Sequence, residues 1–197
     1  MAIDTRSFTR IASKHFVLDQ QARLSLSGLI LIGLIAGILH VHLRYPLNIP
    51  GHHGLEWMAL LLFGKLLSAH RQAATILATA AATGYLLQSP FMSLAHSVKP
   101  ALVFLATGWC VDRCISFSRD WNPGVFLYAV IGGLVFLLKP LVMYALFLIV
   151  GWKVGMFVKH PDYLPFISHF LFGATGAAGG ALMATWLQKE ARKPRTQ

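Results

Sequence analysis

Six apolar runs, separated by short polar connections, organise this chain. They cover residues 24–41, 55–69, 72–87, 101–117, 123–150 and 166–187. A bilayer core calls for about 20 consecutive apolar helical residues. The pattern therefore predicts an all-α integral membrane protein, a bundle of six transmembrane helices with irregular outer loops. The run at 55–69 is short and interrupted by Gly64 and Lys65. It is expected to start inside the protein, with the preceding loop folded into the membrane. Backbone that is not helical at that depth has to be covered by protein or by a water-filled cavity.

Small residues mark where these helices approach one another. Gly33 and Gly37 make a small-xxx-small pair on the first segment, and Ala74, Ala78 and Ala82 form a ridge on the third. The sixth carries a run from Gly173 to Gly180 too small-sided to face lipid profitably. Such faces let backbones pack closely, so each is expected to be covered, by this chain or by a partner.

Composition strengthens the membrane reading. Only 12% of the 197 residues are charged and 56% are hydrophobic, with a mean hydropathy of +0.61; soluble domains carry about 25% charged residues. The formal charge of +10 invites a nucleic-acid partner, but its distribution argues against one. Arg6, Arg10, Lys14 and Arg23 precede the first apolar run, and Lys189, Arg192, Lys193 and Arg195 follow the last. Basic flanks of spanning helices are the cytoplasmic anchoring signature, and they suit anionic headgroups in the lipid bilayer. With six spans, Arg71, Arg113 and Arg119 join that same side, while Arg44, Lys99, Lys153 and Lys159 fall on the other. Both termini are thus expected in the cytoplasm, as in a bacterial-type inner membrane protein. The organisation that follows is an amphipathic cytoplasmic segment at 1–23, the helical domain at 24–187 and a basic tail at 188–197. No cleavable leader is apparent. Cys110 and Cys114, one helical turn apart, do not sit at disulfide geometry on a helix.

The expected outer loops hold the candidate chemistry. The stretch from His40 to Trp57, HVHLRYPLNIPGHHGLEW, contains four histidines, Arg44, Glu56 and four turn-forming residues, Pro46, Pro50, Gly51 and Gly54. Imidazoles beside a carboxylate suit Zn, Ni, Co or Fe, so His52 and His53 are candidate metal ligands; Gly51 and Gly54 permit the sharp turn needed to aim both inward. The same loop also suits a small organic molecule. Pockets are mostly apolar with a few placed polar groups, and Tyr45, Trp57 and Phe91 offer stacking surface. Arg44, His53, Glu56, Trp57, His96, Lys139 and His169 are the candidate substrate-binding residues.

Lys139 stands out because a charge inside a spanning helix costs several kcal/mol and normally faces a cavity or a partner. It would lie about 24 Å along the fifth helix from its inner end, beneath the outer loops. It is expected either to bind an anionic group of a substrate or to pair with Glu56. Pro140 frees a carbonyl one turn back. Asp112 and Arg113, at the inner end of the fourth segment, read as an interface anchor. No Ser/His/Asp set, carboxylate pair or phosphate-binding Gly-Lys-Ser/Thr loop is present, so no enzymatic activity is expected. The histidines cluster towards helix ends, which disfavours a bis-histidine haem.

Several features together resemble the substrate-binding (S) components of energy-coupling-factor transporters. They are the proline-rich entry from Pro46 to Gly54, the alanine-rich third segment, Leu137-Leu-Lys-Pro140, and the start of the sixth segment from His169 to Gly173. The resemblance implies a capture protein for a vitamin-like organic molecule or a metal ion, and uptake with an energising partner. It also implies that Gly33 and Gly37, where S components commonly carry an Ala-xxx-Ala face, would meet a membrane coupling subunit driven by ATPases. Two other readings stand beside it: a non-enzymatic accessory or assembly subunit, and a metal- or haem-handling membrane protein.

Overall fold

Apolar residues that cannot leave lipid or a protein interior must satisfy their backbone groups locally, and a helix does so within one segment. Each of the expected runs is helical in the computed structural model, which describes residues 24–42, 49–88, 94–118, 124–150 and 163–193. In chain order the helices are α1 (Leu26–His42), α2 (His53–Leu67), α3 (Ala73–Leu86), α4 (Leu94–Ser118), α5 (Val125–Phe136), α6 (Leu138–Val150) and α7 (Leu164–Ala191). Three stretches are long and apolar enough to cross a membrane: Pro100–Ser118, Val125–Ala145 and Leu164–Ala191. Leu26–His40 and Ala73–Leu86 are apolar but shorter.

Three boundaries differ from the sequence reading, each for a local reason. The connection expected at 88–100 is shortened because α4 already begins at Leu94 and carries Pro100 inside it. One proline costs a helix a single backbone bond and need not end it. The fifth run is split at Leu137, between α5 and α6. The ring of Pro140 opposes the carbonyl of Phe136 four residues back, and the chain resumes through Leu141 N–H to Leu137 O, 3.1 Å. At the C-terminal end α7 continues to Ala191, so the first residues of the basic tail are helical.

Helices α3 and α7 are the packing hubs. The closest pairings are α2 with α7, α1 with α3, α5 with α7, and α3 with α4. Glycine makes each of them close. A Cβ on Gly33 or Gly37 would collide with the backbone oxygens of Leu77 and Ala81 on α3. One on Gly180 would meet Ala59 O of α2, and one on Gly173 would lie 2.6 Å from the Phe136 side chain of α5. Ala74 and Ala78 receive Gly108 of α4. The first-segment glycines, expected to meet a partner subunit, are therefore spent inside the chain, because α3 presents small residues to them.

The bundle is apolar on its outside as well as in its core. The buried core is rich in alanine and glycine, whereas Phe126, Ile149, Phe117 and Leu148 are 82%, 81%, 76% and 63% exposed. A soluble monomer rarely shows apolar patches beyond a few hundred Å². This surface suits lipid.

At one end of the bundle the helix termini are fastened by polar groups. The Asp112 carboxylate of α4 accepts the N–H groups of Ala74 and Thr75 at 3.3 and 2.7 Å and the Thr75 hydroxyl at 2.7 Å. It thereby caps α3, whose own Gln72 provides no side-chain cap. Lys65 of α2 pairs with Asp112 at 2.7 Å, both side chains nearly buried, and also donates to Arg71 O. Asp112 thus works in the protein interior, whereas the interface anchor expected of the Asp112–Arg113 pair leaves only Arg113 exposed.

Candidate functional site

The opposite end gathers the histidines. Four features of the fold bring them together: the C-terminal turn of α1, the turn leading into α2, the break between α5 and α6, and the first turns of α7. The turn before α2 depends on Gly51, whose φ of 83° lies in the left-handed region that glycine enters without strain. A Cβ there would sit 2.8 Å from the His169 ring. Gly51 therefore lets the loop backbone lie directly on α7, which realises the sharp turn expected at this glycine.

His52, at the N-terminal boundary of α2, and His53, in its first turn, lie tilted against each other with ring centroids 3.9 Å apart. His53 also lies 4.7 Å from His40 of α1. His40 in turn approaches Phe104 at 5.2 Å and Tyr85 at 6.0 Å. Trp57 packs on Phe104 at 4.5 Å and donates its indole N–H to Thr107 at 2.9 Å. Both ends of the indole are thus occupied, so Trp57 is a fixed wall of the site. On the far side the Phe136 ring stacks on His169 at 5.2 Å, with Lys139 Nζ 6.0 Å from that phenyl ring.

The hydrogen bonds of two imidazoles define the chemistry. His169 is fully buried, and its Nδ1 lies 2.6 Å from Pro165 O. Nδ1 of His52 lies 2.8 Å from Ile49 O. A carbonyl oxygen only accepts, so each Nδ1 is the donor, and in the neutral ring each Nε2 then carries a lone pair. Both Nε2 atoms are buried without a hydrogen-bond partner. Buried polar atoms in native proteins are nearly always satisfied, and these two acceptors at one end of the bundle have no partner among the described residues.

The sequence candidates fall unevenly on this site. His52, His53, Trp57 and His169 come together there, with Lys139 beside them. Glu56 is exposed and makes no ion pair among the described residues, so the expected Lys139–Glu56 pair does not form. Its position in the first turn of α2 instead suits the positive end of that helix. Arg44 lies outside the described residues, as does the side chain of His96. No group of three or more potential metal-ligating side chains occurs among the described residues. Tyr85, Phe104, Thr107 and Phe136 were not singled out by sequence; inside apolar helices they look like any other core or lipid-facing position. Comparison of the chain with family models, curated proteins and solved structures finds no match.

Proposed function

We propose that this chain is a membrane-embedded capture protein that holds a small organic molecule at its histidine end. The observation carrying this reading is the pair of buried, unpartnered Nε2 acceptors on His52 and His169. A ligand with N–H or O–H donors satisfies both. Tyr85, Trp57, Phe104 and Phe136 provide flat apolar walls for a planar body, and Lys139 offers its charge to an anionic or carbonyl group. Pockets that combine a mainly aromatic lining with a few placed polar groups hold small molecules of this kind.

The resemblance to S components supplies the wider role. The captured molecule is taken up with the help of a membrane coupling subunit and its ATPases, and the chain itself catalyses nothing. In this reading α5 and α6 form one span, six spans cross a bacterial-type cytoplasmic membrane, and both termini lie inside. The histidine end then faces outward. The accessory-subunit reading loses its main support, because the glycine faces that suggested it are filled by the chain's own helices.

One observation favours a transition-metal ion as a second reading. Imidazoles that ligate metal through Nε2 usually donate Nδ1–H to a carbonyl or carboxylate, the pattern of His52 and His169. The positive charge of Lys139 beside the site weighs against a divalent cation.

The test is purification in neutral detergent followed by native mass spectrometry and elemental analysis. Wild type should carry a bound species, and His52→Ala and His169→Ala should each lower its occupancy at least about tenfold, the loss expected for one buried hydrogen bond. Lys139→Ala should weaken retention of an acidic species and spare a metal. Undiminished retention in both histidine variants would remove the site from consideration.

A further inference from the structure

A polar recess lies at the end of the bundle remote from the histidines. It is a cavity of about 370 Å³ whose lining includes His70, Arg71, Trp109, Asp112, Arg113 and Ser116. Its cause is a mismatch of helix lengths. The 15 residues of α2 and 14 of α3 rise only about 22 and 21 Å, against a hydrocarbon core of about 30 Å. The Asp112 bonds hold the first turn of α3 level with Asp112, six residues before Ser118 ends α4. The α2–α3 turn therefore stops about 9 Å short of that end, and the recess opens above it.

The charges lining this recess are not balanced. Asp112 is engaged by Lys65 and by the N-terminus of α3, so its charge is compensated within the protein. Neither Arg71 nor Arg113 pairs with a carboxylate among the described residues. The Arg113 guanidinium is held over the Trp109 ring at 5.3 Å, and Lys65 anchors the backbone of Arg71 through its carbonyl. Two arginines lining one cavity, one with its guanidinium held over an aromatic ring, match the multiple acceptor oxygens of a phosphate group. Trp109, which lines the recess, is 53% accessible and offers an apolar surface on which an acyl chain can lie.

Resting on the reading of this chain as a membrane protein, we infer that the recess holds the phosphate of an anionic phospholipid headgroup, clamped by Arg71 and Arg113. The bound lipid fills the step left by the short α2–α3 hairpin and neutralises the two guanidiniums. This site is separate from the histidine end and requires no captured substrate.

The protein is reconstituted into nanodiscs of mixed phosphatidylcholine and phosphatidylglycerol, released into neutral detergent and weighed by native mass spectrometry. Failure of wild type to enter nanodiscs would count against the membrane reading itself. Given insertion, wild type should keep phosphatidylglycerol in preference to phosphatidylcholine. The double variant Arg71→Gln/Arg113→Gln should lower that retention about tenfold or more, with the helical circular dichroism spectrum unchanged because both side chains are exposed. Lys189→Gln/Lys193→Gln removes the same formal charge at the tip of α7 and should retain lipid as wild type does. Equal loss in both double variants would reduce the effect to net charge and overturn the site. It would also be overturned if inorganic phosphate, added without lipid, raised the melting temperature in an arginine-dependent way while no phosphatidylglycerol was retained; the cavity would then take a free anion.

Discussion

The Lys65–Asp112 pair allows a sharp test of how the bundle is held together, because its two members are unequally supported. Asp112 has the lysine at 2.7 Å and three further donors, the N–H groups of Ala74 and Thr75 and the Thr75 hydroxyl. It also sits at the positive end of α3. Lys65 has only Asp112 and the carbonyl of Arg71. In Lys65→Met the carboxylate keeps its three α3 donors, and the cost should be about 1–2 kcal/mol. In Asp112→Asn the amide oxygen can still cap α3, but the NH₂ group faces the ammonium and leaves it buried with a single acceptor. Breaking a buried pair from one side costs about 3–5 kcal/mol, and about 3 kcal/mol is expected here because the cap is retained. For a chain of this size that corresponds to a fall in Tm of about 6–12 °C. The double variant Lys65→Met/Asp112→Asn removes the stranded ammonium. It should be less destabilised than the sum of the singles by about 2 kcal/mol, the coupling typical of groups in direct contact. Unfolding in mixed micelles, followed by tryptophan fluorescence, measures all three. Additive losses, or a Lys65→Met cost equal to that of Asp112→Asn, would refute this account of the pair.

Two glycine predictions test the packing and the site. Gly179 has nothing within 4 Å of an added Cβ, whereas at Gly180 the Cβ would strike Ala59 O of α2. Gly179→Ala should therefore stabilise by about 0.5–1 kcal/mol through helix propensity, and Gly180→Ala should destabilise by about 1–3 kcal/mol through overpacking; micelle unfolding that gave both the same sign would contradict the α2–α7 contact. Gly51→Ala places a side chain at φ 83°, a strain of about 1–2 kcal/mol, and presses on His169 at 2.8 Å. It should leave the bundle folded by circular dichroism yet abolish retention of the captured species, and unchanged retention would mean that the loop is not seated on His169.

The sequence by itself determined the class and the order of the helices. Apolar runs of this length admit little besides helix, since no other conformation satisfies the backbone within one segment; the runs at 55–69 and 72–87 matched α2 and α3 to within two residues at each end. Gly51 was legible for the same kind of reason, because a turn between two helices with glycine at its centre has few alternatives. Which face of each helix looks inward was not legible. Helices that are apolar all round carry no polar stripe to orient them, so nothing local distinguished Phe104 and Tyr85, which line the site, from Phe117 and Phe126, which face outward. The partners of Gly33 and Gly37 were equally hidden, since a small face fits any small face and only the closed bundle assigns it to α3. The same holds for the polar groups. Lys65 and Asp112 are separated by nearly 50 positions and become a pair only when α2, α3 and α4 meet. The loop from 40 to 57 could be recognised as rich in ligating groups. Each Nδ1 of His52 and His169 rests on a carbonyl of its own segment; tertiary packing alone decided that the two rings, from distant stretches of chain, meet at one end of the bundle with Nε2 buried.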